Sequence, residues 1–259
     1  MDELTLATGI FLLCAAFFAG FVDSIAGGGG LIQLPALLIG LPKSETVTVL
    51  GTNKFAAIFG TTTAAGLYRR QIKPEPKILI AMALPAFIGS GIGASLASRI
   101  PTSSMRPLVL ILLIAVAFYT WRKPDLGSIE LLRHHPRRRV QIAVAAGSII
   151  GFYDGIFGPG TGSFLMVVLV ASLGYAFITA SAIAKVVNVS TNLGAIIVFG
   201  IHGAVLWQLG LLLGAANVTG ALIGSRLAIR GGSTLVRKVF LGVTVALIIK
   251  VGIDTFLSL

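Results

Sequence analysis

Long uncharged apolar stretches alternate with short basic connections along this chain, and that pattern decides what it can fold into. Positions 4–22, 78–96 and 107–121 carry no charge and approach the roughly 20 residues that cross a hydrocarbon core. Positions 140–153, 204–225 and 239–249 read the same way, the first and last being shorter. These stretches are apolar on every face, so they lack the polar stripe of a helix in a soluble bundle. Only 11% of the 259 residues are charged, against about 25% in a soluble domain. No stretch alternates in polarity at every step, as strands of a membrane barrel do over roughly 10 residues. The 32 glycines suit close helix contacts in lipid. The fold class that follows is an all-α integral membrane protein.

The formal charge of +11 is compatible with nucleic acid in itself, but its placement is not. The basic residues sit between apolar runs, so lipid and not nucleic acid is the expected partner. The opening Met1-Asp2-Glu3 lacks the basic n-region of a cleaved signal. The single cysteine, Cys14, lies inside an apolar run and has no second thiol to pair with.

An offset of 131 positions exposes an internal repeat. It lays Phe21-Val22-Asp23 on Phe152-Tyr153-Asp154, and Ile25, Gly27 and Gly29 on Ile156, Gly158 and Gly160. With no insertion it also lays Lys54 on Lys185, Gly93 on Gly224, Arg99 on Arg230 and Arg106 on Arg237. Glycine matches are cheap in such a chain. The Asp and Lys matches are not, because charges are scarce and these lie within or beside membrane segments. The expected organisation is a first membrane repeat at 1–121, a basic linker at 122–139 and a second repeat at 140–259.

Each repeat reads as five segments, at 4–26, 30–41, 46–67, 77–98 and 103–121, then 140–157, 162–173, 177–200, 204–228 and 234–255. The second of each is short, about 18 Å of helix at 1.5 Å per residue. If all five cross, one side collects Arg69, Arg70, Lys73, Lys77, Arg122, Lys123, Arg133, Arg137, Arg138, Arg139, Arg226, Arg230, Arg237 and Lys238. The other side keeps Lys43, Arg99 and Arg106. Basic loops mark the cytoplasmic side, so five crossings per repeat fit better than a re-entrant second segment. An odd number of crossings inverts the second repeat relative to the first, the architecture of many secondary transporters. Both termini are then expected outside the cytoplasm.

The chemistry is expected where the helices break. Gly27-Gly28-Gly29-Gly30 follows Asp23, and each glycine costs a helix about 1 kcal/mol relative to alanine. The second repeat echoes it as Asp154-Gly155-Ile156-Phe157-Gly158-Pro159-Gly160-Thr161-Gly162. In lipid a broken backbone must find partners inside the protein or line a wet cavity. Each break precedes a new short helix whose free N–H groups and positive dipole end favour an anion. Close helix packing is the alternative use for these glycines. The candidate binding residues are Gly27, Gly28, Gly29, Gly30, Gln33, Asn53 and Lys54 in the first repeat, with Gly158, Gly160, Gly162, Ser163, Lys185 and Asn188 in the second.

Asp23, Asp154, Lys54 and Lys185 are charges that a bilayer interior penalises by at least roughly 2.5–3.5 kcal/mol each. Mutual Asp–Lys pairing is one reading. The other gives the lysines to an anionic substrate and Asp23 and Asp154 to proton coupling. Asn192, Asn217 and Thr219 are expected to bond between helices, and Thr61, Thr62 and Thr63 to bond back to their own. No cluster of His, Cys or carboxylates offers a metal site, no catalytic Ser/His/Asp set is evident, and no cofactor is expected.

The residues Phe21-Val22-Asp23-Ser24-Ile25-Ala26-Gly27-Gly28-Gly29-Gly30-Leu31, Pro35 and Gly51-Thr52-Asn53-Lys54 resemble the TauE/SafE family of sulfite exporters, also called TSUP. The run from Gly151 to Phe164, with Ala184-Lys185, resembles the family's second repeat, in its YfcA-like branch. The resemblance implies a multi-pass permease of the prokaryotic plasma membrane for sulfur-containing anions such as sulfite, thiosulfate and organosulfonates. One departure from symmetry stands out: Asn53 falls on Ala184, so the two half-sites differ chemically. A secondary transporter is the leading expectation and an anion channel the alternative. An enzyme is disfavoured, and the oligomeric state is left open.

Overall fold

A computed structural model describes residues 5–97 and 127–256, apart from the side chains of 247 and 250–256. The predicted fifth segment, 103–121, lies outside the described residues. Those described form α1 (Leu6–Ala26), α2 (Gly30–Gly40), α3 (Thr46–Gln71), α4 (Pro76–Leu96), α5 (Pro136–Ile156), α6 (Thr161–Val167), α7 (Phe177–Ile201) and α8 (Trp207–Phe256). α6 runs on into a wider π-helical turn, Val168–Ser172. Non-helical Gly232, with φ 60° and ψ −161°, interrupts α8 inside the predicted gap between the ninth and tenth segments.

Four of these stretches are long and apolar enough to cross a membrane: α1, α4, α7 and Trp207–Ala246 of α8. α3 and α5, of 26 and 21 residues, are as long but less apolar, since they carry Lys54, Arg69 and Arg70 or Arg137–Arg139 and Asp154. α5 begins at Pro136, four residues before the predicted 140. Proline suits the first helical position because its missing N–H would have no helical partner there.

Two helix seams are close enough to exclude side chains. α4 lies on α5, where a Cβ on Gly93 would overlap the Phe152 carbonyl and one on Gly155 the Ser90 carbonyl. α1 lies on α8, where a Cβ on Gly220 would overlap the Phe17 carbonyl and one on Gly20 the Asn217 carbonyl. Gly89 meets Ser148 and Phe152 just as Gly220 meets Phe17 and Phe21, and each of those positions is offset by 131 from its counterpart.

The connections collect at two ends. At one, Arg139 pairs with Glu75 at 2.9 Å, Leu131 N–H donates to the Gly174 carbonyl and Ile178 N–H donates to Ser233 Oγ. The connections after α3, before α5, before α7 and at Gly232 therefore meet there, with most of the described basic residues. At the other end Leu206 N–H donates to Thr52 Oγ1 at 3.0 Å, joining the start of α3 to the connection before α8.

The carbonyls left over where α1 stops are satisfied from within the protein. Tyr68 Oη donates to the Ser24 carbonyl at 2.9 Å, and Ser181 Oγ donates to the Ile25 carbonyl at 3.0 Å. Both side chains are buried. The second break uses Tyr153, whose hydroxyl donates to the Pro159 carbonyl. A bilayer offers a bare carbonyl no water, so these contacts make the breaks tolerable at depth.

Candidate functional site

The glycine runs break the helices as the sequence predicts. Gly27 (φ 77°) and Gly28 (φ 103°) part α1 from α2, and Gly158 (φ 90°) and Gly160 (φ 86°) part α5 from α6. These angles belong to the left-handed region that favours glycine. The two breaks cross back to back, with no room for a Cβ on Gly27 against the Gly162 backbone.

Four charges meet around this crossing, and each pair joins a helix before residue 97 to one from residue 136 onward. Lys54 Nζ of α3 lies 2.6 Å from Asp154 Oδ2 of α5. Lys185 Nζ of α7 lies 2.8 Å from Asp23 Oδ2 of α1. Each aspartate also reaches across its own break. Asp154 Oδ1 accepts from Thr161 Oγ1 at 2.6 Å, whereas Asp23 Oδ1 accepts from Gly29 N–H at a long 3.4 Å. Both lysines are buried, Lys185 with no exposed surface at all.

Beside the crossing lies a cavity of about 40 Å³, room for on the order of three waters. Of the predicted residues, Asp23, Gly28, Gly29, Gly30, Gln33, Asn53, Lys54, Asp154, Gly158, Gly160, Gly162 and Asn188 line it. Gly27, Ser163 and Lys185 do not. Gly27 is spent on the backbone crossing, Ser163 Oγ faces the Ala26 carbonyl at 3.5 Å, and Lys185 sits behind Asp23.

The polar wall is under-satisfied. Gln33 Oε1 accepts from Asn217 Nδ2 at 2.9 Å, which leaves Gln33 Nε2 without a partner. Asn53 Oδ1 and Asn188 Oδ1 also lack partners, and all three residues are at most 7% exposed. Buried amides are normally hydrogen-bonded, so three unmatched ones around one cavity point to a polar occupant. Asp154 Oδ2 accepts no ordinary hydrogen bond, but Lys54 Nζ at 2.6 Å satisfies it as an ion pair.

Thr61, Thr161, Asn192 and Asn217 also line the cavity. The expectation that Thr61 bonds back to its helix holds, through the Ala57 carbonyl, but its oxygen also accepts from Asn192 Nδ2 at 3.4 Å. Thr161, not among the predicted residues, opens α6 just past a break that begins at an aspartate, and that placement of a hydroxyl is its signal in the sequence. Arg139, the last residue of the predicted basic linker, lies in α5, buried and paired with Glu75.

Long apolar helices, two of them broken beside a polar cavity, define a multi-pass membrane protein. A family model, sulfite exporter TauE/SafE, matches residues 12–251. The chain belongs to the TauE/SafE family and is a membrane transporter. A Sinorhizobium sp protein named probable membrane transporter protein ORF9 is 40% identical over 98% of this chain and 96% of its own length. The probable membrane transporter protein YfcA of Escherichia coli strain K12 is 34% identical over 94% of this chain and 89% of its own. A probable membrane transporter protein of Haemophilus influenzae is 34% identical over 87% of each chain. No solved structure matches the chain.

Proposed function

We propose that the protein is a secondary transporter that carries a small sulfur-containing anion by alternating access through the cavity between its two broken helices. The observation that carries this reading is the cavity wall itself. Gln33 Nε2, a buried amide donor without a partner, the glycine backbone at two helix breaks and Lys54 converge on a space fit for a small oxyanion. Helix ends and amides bind anions through N–H donors, and a lysine adds a point charge. Sulfur as the cargo's element rests on the family's description, a sulfite exporter. Sulfite, thiosulfate and organosulfonates are the candidates, with Asp23 and Asp154 as the groups for proton coupling.

The two repeats, 1–121 and 140–259, are proposed to be inverted copies joined by the linker at 122–139. The cross-repeat Lys–Asp pairs and the matched seams at an offset of 131 support this. The basic end, where Glu75, Arg133 and Arg139 lie, is assigned to the cytoplasm by the positive-inside rule, with both termini on the other side of a prokaryotic inner membrane. In this scheme exchange between the two repeats' conformations opens the cavity to each side in turn.

The test is counterflow. Proteoliposomes loaded with unlabelled sulfite, thiosulfate or isethionate are diluted into a trace of the same anion bearing sulfur-35. A carrier accumulates label transiently above equilibrium, because it returns loaded with the unlabelled anion. A channel gives equilibration without that overshoot, and its conductance would replace the carrier reading.

A further inference from the structure

The two ion pairs occupy matching positions in the two repeats yet stand differently toward the cavity. Lys54 and Asp154 both line it, whereas of the other pair only Asp23 does and Lys185 is sealed behind it. Among the described residues Lys54 is the one cation on the cavity wall, and Asp154 Oδ2 already holds it at 2.6 Å. The four charged groups sum to zero. An anion entering while they stand so would leave an uncompensated negative charge in a low-dielectric site, beside two carboxylates.

A proton on Asp154 removes that obstacle. It binds Oδ2, the carboxyl becomes neutral, Lys54 Nζ is released, and the anion's charge takes the carboxylate's place beside Nζ. The site returns to zero, and the proton leaves when the anion does. Asp154 is built for this step, because Thr161 Oγ1 at 2.6 Å from Oδ1 keeps the carboxyl in place once Lys54 lets go. Asp23 is not. Protonating it would strand Lys185 as a buried cation that no anion in the cavity reaches, and its second oxygen has only the 3.4 Å contact to Gly29. The charged and titratable groups facing Asp154 are Lys54 from α3, Asp23 from α1 with Lys185 of α7 behind it, and Tyr153 on its own helix.

From this we infer that each cargo anion is a singly charged oxyanion and travels with one proton, taken by Asp154, while Lys185–Asp23 is a permanent clasp between the repeats. A doubly charged anion would leave the site negative unless Asp23 also took a proton, at the expense of Lys185. The inference rests on the transporter reading and assigns the two aspartates different roles.

The experiment uses wild-type proteoliposomes with a trapped pH dye, protein-free liposomes as the blank, and four labelled probes. Methanesulfonate and isethionate are singly charged; sulfate and thiosulfate are doubly charged. The expected result is several-fold faster entry of the singly charged probes, one proton per anion, and no net charge movement. In Asp154→Asn flux falls, and what remains stops responding to a pH gradient. If that variant fails to fold, the wild-type proton ratio decides alone. Singly charged probes entering without protons, or doubly charged probes preferred with a current, overturn this inference and leave the transporter reading intact. No flux of any probe overturns both.

Discussion

Gly158→Ala tests whether the Lys54–Asp154 pair is held as tightly as the geometry requires. Gly158 has φ 90°, so an alanine there carries backbone strain of about 1–3 kcal/mol. Its Cβ would also lie 2.7 Å from Lys54 Nζ and 3.1 Å from Asp154 Oδ1. A lysine tip normally swings aside at little cost, but this one is pinned by a buried carboxylate. To regain ordinary contact Nζ must retreat by about 0.7 Å, which stretches the 2.6 Å pair to about 3.3 Å. At an effective dielectric of about 20 the lost attraction is about 1 kcal/mol. Gly160→Ala is the control, because φ is 86° and the nearest atoms, on Leu31 and Phe164, stand at ordinary contact from 3.6 Å. It carries the strain without the electrostatic loss.

The expected result is Gly158→Ala less stable than Gly160→Ala by about 1 kcal/mol. Unfolding both variants by sodium dodecyl sulfate titration in mixed micelles measures the difference. Counterflow in the same preparations should fall further in Gly158→Ala, since the displaced pair belongs to the cavity. Equal stability of the two variants would refute the claim that Lys54 is pinned, and with it the electrostatic part of the reasoning.

Lys54→Met leaves a carboxylate at Asp154, 5% exposed, with no cation, and should cost about 3–5 kcal/mol in the same titration. Adding Asp154→Leu should recover most of that stability but no transport; a single variant as stable as wild type would mean that the pair is well hydrated. At the α4–α5 seam, Gly93→Ala pushes a methyl into the Phe152 carbonyl and should cost about 3 kcal/mol, whereas Gly66→Ala, with nothing within 4 Å of its Cβ, should stabilise α3 by up to about 1 kcal/mol.

Much of this architecture could be read from the chain because membrane depth makes polar residues conspicuous. The four charges within apolar helices and the two glycine runs have no cheap place in hydrocarbon, so each flagged a feature that the structure contains. What could not be read was partner choice. An offset of 131 says that Lys54 corresponds to Lys185, but only the fold brings Lys54 to Asp154 and not to the nearer-in-sequence Asp23. The same holds for Arg139, the last residue of the predicted linker: helical periodicity carries it inward to Glu75 while Arg137 and Arg138 stay exposed. Lys185, a predicted binding residue, is fully buried against Asp23 and does not line the cavity, a burial that sequence does not show.

The cavity's polar wall departs from the repeat at each amide. At an offset of 131, Gln33 falls on Phe164, Asn53 on Ala184, Asn188 on Ala57, Asn192 on Thr61 and Asn217 on Ala86. Ala57 and Thr61 line the cavity opposite the asparagines that replace them, so both members of those two matched pairs face the same space. The charges obey the repeat; the amides do not. Under the proposed carrier, matched charges let one Lys–Asp pair hold the proposed repeats together while the other opens to the cargo. The proposed cargoes, sulfite, thiosulfate and sulfonates, have no two-fold axis, and donors repeated about such an axis would compete for them in two orientations. In the proposed carrier, an amide at only one of two matched positions gives the cargo a single preferred pose beside Lys54, where Asp154 can exchange places with it.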